Sequence, residues 1–150
     1  MAGRYFDEWA VDDTVVHDLR RTVTQTDNLL VTTLTHNTQP LHLDAEAAEA
    51  SEFGQILVNG IYTFGLMIGI SVGDTTLGTL VANLGYDAVV MPKPVFIGDT
   101  LRVETTVLAL RPSRSRPQAG VVVFEHRALN QRDELVCRCT RTAMLKRRAA

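Results

Sequence analysis

Cysteine is nearly absent: Cys137 and Cys139 are the only two in 150 residues. Two positions apart on a strand, they face the same side about 6.5 Å apart along a stiff backbone, a poor geometry for a mutual disulfide. A disulfide-stapled scaffold is therefore excluded, and two reduced thiols packed in a core are expected. No histidine follows them at metal-ligand spacing, so no zinc site is expected. An excess of one charge is lacking too. Fifteen Lys and Arg stand against seventeen Asp and Glu, a net −2, so no field recruits nucleic acid or an anionic membrane. The basic run Lys146-Arg147-Arg148 reads as a solvated, frayed tail. Long unbroken apolar stretches are also missing. The longest, Ile56 to Val72, is interrupted by Asn59, Thr63 and Ser71 and carries Gly60, Gly65 and Gly69. It is short for a membrane span and has no flanking Lys or Arg, so a helix buried inside protein is expected. Met1 to Glu8 show no charged-then-apolar leader pattern, and a cytoplasmic location is expected.

What is present suits one domain over residues 1–150: 45% of the residues are hydrophobic, enough for a real core. Thr14 to Val23 is β-rich and predicts a first strand that carries His17. Thr24, with Asp27 three residues on, predicts a helix N-terminus with a capping box. Leu29, Leu30, Thr33 and Leu34 give that helix its apolar stripe, ending near His36. Asp44 predicts a second N-cap, opening a short alanine-rich helix through Ala50. A third helix, Asn59 to Val72, is apolar in every direction, which marks a helix enclosed on most sides. Beyond Gly78 the texture is that of strands. They run from Leu80 to Met91 with a bulge at Gly85, then Leu101 to Leu110, Gly120 to Leu129 and Glu134 to Lys146. Together these predict an α+β fold in which a curved antiparallel sheet wraps a buried central helix. Such a sheet has exposed edges, and edge pairing of two copies predicts a homodimer or higher homo-oligomer.

One polar segment stands out, Asn37-Thr38-Gln39-Pro40-Leu41-His42-Leu43-Asp44. It forms a short turn that presents His42 between two helices. The third helix opens close behind it, at Asn59-Gly60, where a backbone N–H is free to donate. A proton carrier beside such a donor is what chemistry at a thioester carbonyl requires. His42 and Gly60 are thus candidate catalytic groups, with Asn59, Tyr62 and Thr63 as candidate cleft-lining residues.

On these residues the chain resembles the MaoC-like branch of the hotdog fold, which includes (R)-specific enoyl-CoA hydratases and β-methylmalyl-CoA (mesaconyl-CoA) dehydratases. The resemblance rests on three blocks at the expected separations: Asn37 to Asp44, Phe53 to Gly60, and Pro94 to Leu101. It implies reversible addition of water to a 2-enoyl-CoA, with a branched or dicarboxylic acyl group suggested by the mesaconyl-CoA branch. It implies no metal or organic cofactor, since coenzyme A arrives within the substrate. His42 matches the family's proton carrier and Gly60 its oxyanion donor, while Pro94 falls in a segment near the acyl-CoA cleft. Asn37 stands where the family has an aspartate. A carboxamide can orient a water but cannot take its proton.

Plainer readings stand beside these. His42 can be a satisfied structural histidine, Asn37 a turn residue capping the backbone, and Gly60 a residue chosen for tight packing. His36 reads as an exposed helix-end residue, and His17 and His126 as structural. Arg114 and Arg116 either hold a coenzyme phosphate or form a solvated hairpin tip. Two rival functions remain open: a non-catalytic acyl-CoA binding module or partner subunit, kept alive by Asn37, and a hotdog thioesterase. The thioesterase normally wants a carboxylate that the Asn59–Val72 segment lacks.

Overall fold

The computed structural model describes residues 3–149. A single 3-10 turn, Phe6–Glu8, leads into β1 (Thr14–Val16) and β2 (Arg21–Thr22). Three short helices follow, α1 (Gln25–Leu34), α2 (Pro40–Leu43) and α3 (Ala45–Glu49), and then the long helix α4 (Gly60–Thr75). Four strands complete the chain: β3 (Leu80–Val90), β4 (Thr100–Pro112), β5 (Ala119–Leu129) and β6 (Leu135–Lys146). They form an antiparallel sheet in the order β1-β4-β5-β6-β3, with β2 also pairing to β4. α4 packs across β4, β5 and β6, as the α+β expectation requires.

The period-2 pattern of β4 sorts its faces as read from the sequence. Leu101, Val103 and Val107 are buried, while Arg102, Glu104 and Thr106 are not. Gly85 sits at one of three register shifts along β3, where the loss of a side chain tolerates a bulge. Cys137 and Cys139 are both free and buried, and burial pushes their thiols up to about 11 and about 12.

Several expectations need correction. The single first strand is two pieces, because the His17 ring turns inward to the Asp74 carboxylate and the Thr105 hydroxyl, each at 2.8 Å. That inward turn pins the chain, and 18–20 swing out before β2 resumes the pairing. On α1 the buried side chains are Asn28 and Thr32, while Leu29, Leu30 and Leu34 are exposed. Polar partners on α2 and α4 hold the Asn28 face inward against the leucine preference. α4 is not enclosed on most sides within one chain. Thr63, Met67, Ile70 and Ser71 are buried, but Ile61, Gly65 and Gly69 are open. The basic C-terminal run does not fray: the Arg147 and Arg148 guanidinium groups meet Asp7 and Glu8 beside the N-terminal turn. No helix among the described residues is long and apolar enough to cross a membrane.

Two apolar clusters fill the core. One gathers Met67 and Ile70 with Leu101, Val103 and Val136, and the other gathers Phe6 and Trp9 with Val107, Phe124 and Leu145. A buried polar belt of His17, Thr105, His126 and Arg141 occupies the same sheet. The Asp74 carboxylate accepts from His17 Nδ1, and the Thr105 hydroxyl bridges His17 Nε2 and His126 Nδ1, each contact at 2.8 Å. Burial first, then the charges of Arg141 and His17, pushes His126 down to about 3.

Candidate active site

The site is built where α1, α2 and α4 meet. Thr24 caps α1 and Asp27 reciprocates, forming the expected capping box. Just past the end of α1, His36 has a φ of 54° that lets the chain turn sharply; its exposed position agrees with the helix-end reading. The Asn37 Oδ1 then accepts the Gln39 N–H at 2.9 Å, and Pro40 starts α2 with φ already fixed. His42 therefore lies on a short helix, not on a free turn. Its half-buried ring is fixed by one contact, Nδ1 to the Leu57 carbonyl oxygen at 2.6 Å. A carbonyl only accepts, so Nδ1 carries a proton, and in the neutral ring Nε2 is the nitrogen with the lone pair.

α4 supplies the second half. Asn59 caps it by accepting the Ile61 N–H at 3.0 Å, and Asp44 caps α3 through Glu46 and Ala47. Gly60, the first residue of α4, makes no hydrogen bond through its N–H among the described residues. A Cβ built there would meet the Met91 sulfur, so glycine makes room for the Met91 side chain against the helix tip. The N-terminal end of a 16-residue helix adds a favourable partial positive charge.

One cavity of about 310 Å³ brings His42, Gly60 and Thr63 together. Its walls are mainly apolar, with Phe53, Val58, Met91 and Val136 among them, and Pro94 and Lys93 line it as well. His42 and the unspent Gly60 N–H thus line one mainly apolar cavity, with no carboxylate in its lining among the described residues. That arrangement can move a proton at one atom while holding negative charge at another.

Other candidates fall elsewhere. Asn37 does not line the cavity; its oxygen is used in the turn, which is the capping role. The Asn59 side chain is spent on the helix cap and on a bond to Thr32. Tyr62 packs on the core beside Asp27 and Arg21, outside the cavity. Arg114 and Arg116 are exposed at the β4–β5 tip and do not line it either. Sequence reasoning missed Asn28. Its side chain, 2% exposed, donates to the His42 carbonyl at 3.0 Å and accepts the Asn59 N–H at 2.9 Å. One carboxamide thereby ties α2 to the start of α4. Its only signal was an asparagine inside a helix otherwise reading as apolar.

A family model described as a MaoC like domain matches residues 8–127. The chain belongs to the MaoC-like domain family. It is similar to a mesaconyl-CoA hydratase of Cereibacter sphaeroides, 37% identical over 147 residues, covering 98% of this chain and 42% of that protein. The chain thus spans well under half the length of this curated relative. Among solved structures, a MaoC-like dehydratase from Rhodospirillum rubrum shares 33% identity at a TM-score of 0.85, covering 99% of this chain and 100% of that one. A conserved hypothetical protein from Mycobacterium tuberculosis with a double hotdog fold matches at a TM-score of 0.87 and 24% identity. That match covers 97% of this chain and 45% of that one, and shows the fold alone. The MaoC-like chain is accordingly one hotdog unit.

Proposed function

We propose that this MaoC-like chain carries the reversible hydration of a 2-enoyl-CoA thioester, with dehydration of the 3-hydroxyacyl-CoA as the reverse. The observation that carries the reading is the shared cavity of His42 and the Gly60 N–H. His42 Nε2 takes a proton from water as the water oxygen bonds to the β-carbon. The electron pair of the carbon–carbon double bond moves to the thioester oxygen, where the Gly60 N–H holds it. His42 then returns the proton to the α-carbon, and the thioester carbonyl re-forms. A general base contributes roughly 10²–10⁴-fold and an oxyanion donor roughly 10²–10³-fold, so the pair supports turnover without Asn37 in the cavity.

The reading extends to the surroundings. β3 is an outer strand with Leu84, Tyr86 and Val89 exposed, and one flank of α4 is open. A second hotdog unit, from another copy, covers both in the active assembly. Two free, unreactive thiols suit a reducing compartment, the cytosol.

The rival with an observation in its favour is acyl-CoA binding without chemistry, since no carboxylate lines the cavity. Incubation with crotonyl-CoA and with mesaconyl-CoA, following the conjugated enoyl absorbance, separates the readings. Loss of absorbance without free thiol supports the hydratase. Release of free thiol with the loss of absorbance indicates a thioesterase, and tight binding with neither signal indicates the binding module.

A further inference from the structure

We propose that Lys93 is the residue that selects acyl groups bearing a second, distal carboxylate. This rests on the acyl-CoA reading above and names the substrate class within it. Among the described residues, Lys93 is the one of fixed charge lining the cavity that holds His42 and Gly60. Its neighbours fix how it is presented. The chain bends at Lys93, between Pro92 and Pro94, and Pro94 disfavours the helical region for the Lys93 backbone. Among the described residues its ammonium group has no carboxylate within ion-pair distance. Glu134, which senses the Lys93 charge, is already held by Arg132 at 2.6 Å and by Asn130 at 3.2 Å. A solvent-exposed lysine without an ion-pair partner therefore stands at the rim of a mostly apolar cavity.

The chemistry that fits is an anion brought in by the ligand. A carboxylate entering so apolar a space needs a cationic partner, or its desolvation opposes binding. A lysine suits this as a flexible point charge that follows acyl groups of differing shape. Two anions arrive with an acyl-CoA: the coenzyme's phosphates and any distal carboxylate on the acyl group. The pantetheine arm sets the phosphates far from the thioester. Lys93 shares the thioester's own cavity, and that favours the acyl carboxylate.

The test is equilibrium binding of two unreactive ligands, succinyl-CoA and butyryl-CoA, which differ in a distal carboxylate. Wild-type protein is expected to prefer succinyl-CoA. Lys93→Met is expected to reduce that preference about tenfold or more, and Lys93→Arg to retain most of it. Absence of any preference in the wild type, or a preference that survives Lys93→Met, overturns the assignment while leaving acyl-CoA binding intact. A loss shared equally by both ligands assigns the ammonium to the phosphates and also overturns it. Failure of wild type to bind either ligand removes the acyl-CoA reading and this inference together.

Discussion

α4 organises two histidine settings, one at each end, and they are opposites. At its start, His42 has one ring nitrogen fixed by a backbone carbonyl and the other left free beside an open amide. Along its second half, Asp74 joins His17, Thr105 and His126 in a chain of bonds at 2.8 Å, buried between the apolar clusters. The first setting leaves polar capacity unspent and faced with a cavity. The second ties His17, Thr105 and His126 Nδ1 together internally, leaves His126 Nε2 buried without a partner, and holds His126 neutral. The difference is one of access, not of residue type: His126 Nε2 also lacks a partner but is buried, and an imidazole becomes available for proton transfer when its unpaired nitrogen belongs to a residue lining a cavity.

The contrast breaks most visibly at the open end. His42→Ala is expected to lower the rate of crotonyl-CoA hydration by about 10²–10⁴-fold, while circular dichroism and oligomeric state stay as in the wild type. Full retention of turnover would remove His42 from the chemistry.

Asn28→Ala comes next. It strips the link between the two halves of the site and leaves the His42 carbonyl and the Asn59 N–H without partners. A loss of about 2–3 kcal/mol in urea unfolding is expected, with kcat falling more than KM rises. A stability loss with unchanged kcat would mean the carboxamide serves the fold only.

The closed end sharpens the comparison through pH. His126 titrates near about 6.5 in an unfolded chain but is held down to about 3 in the folded one. Its contribution is complete above about pH 6.5 and is lost as pH falls through the interval toward 3, because the unfolded state then binds the extra proton. Between pH 7 and pH 5 this amounts to about 2 kcal/mol. Denaturant titrations at both pH values should therefore show a shallower loss for His126→Gln than for the wild type; equal slopes would contradict a neutral buried ring. The smallest effect is expected for Asn37→Asp. The new carboxylate can still accept the Gln39 N–H, so stability should stay within about 0.5 kcal/mol and turnover within about threefold. A large gain in rate would place that side chain at the reacting water after all.

Local signals carried much of this architecture. The Thr24–Asp27 box, the Asp44 cap and the alternation along β4 each depend on residues a few positions apart, and all three were legible. The motif around His42 and the glycine opening α4 were legible for the same reason, and the structure joins them in one cavity. What escaped depends on distant partners. The first strand breaks because His17 bonds Asp74, 57 residues away, and the leucines of α1 face outward because Asn28 answers to Asn59. Lys93 escaped as well, since nothing in sequence shows that the segment after β3 returns to the cavity beside His42.

The most direct test of the central claim is a crystal structure of the His42→Ala variant with crotonyl-CoA bound. The thioester oxygen should lie about 2.7–3.1 Å from the Gly60 nitrogen, with the β-carbon facing the space vacated by the imidazole. A thioester seated outside this cavity, or one whose oxygen is held by another donor, would contradict the account.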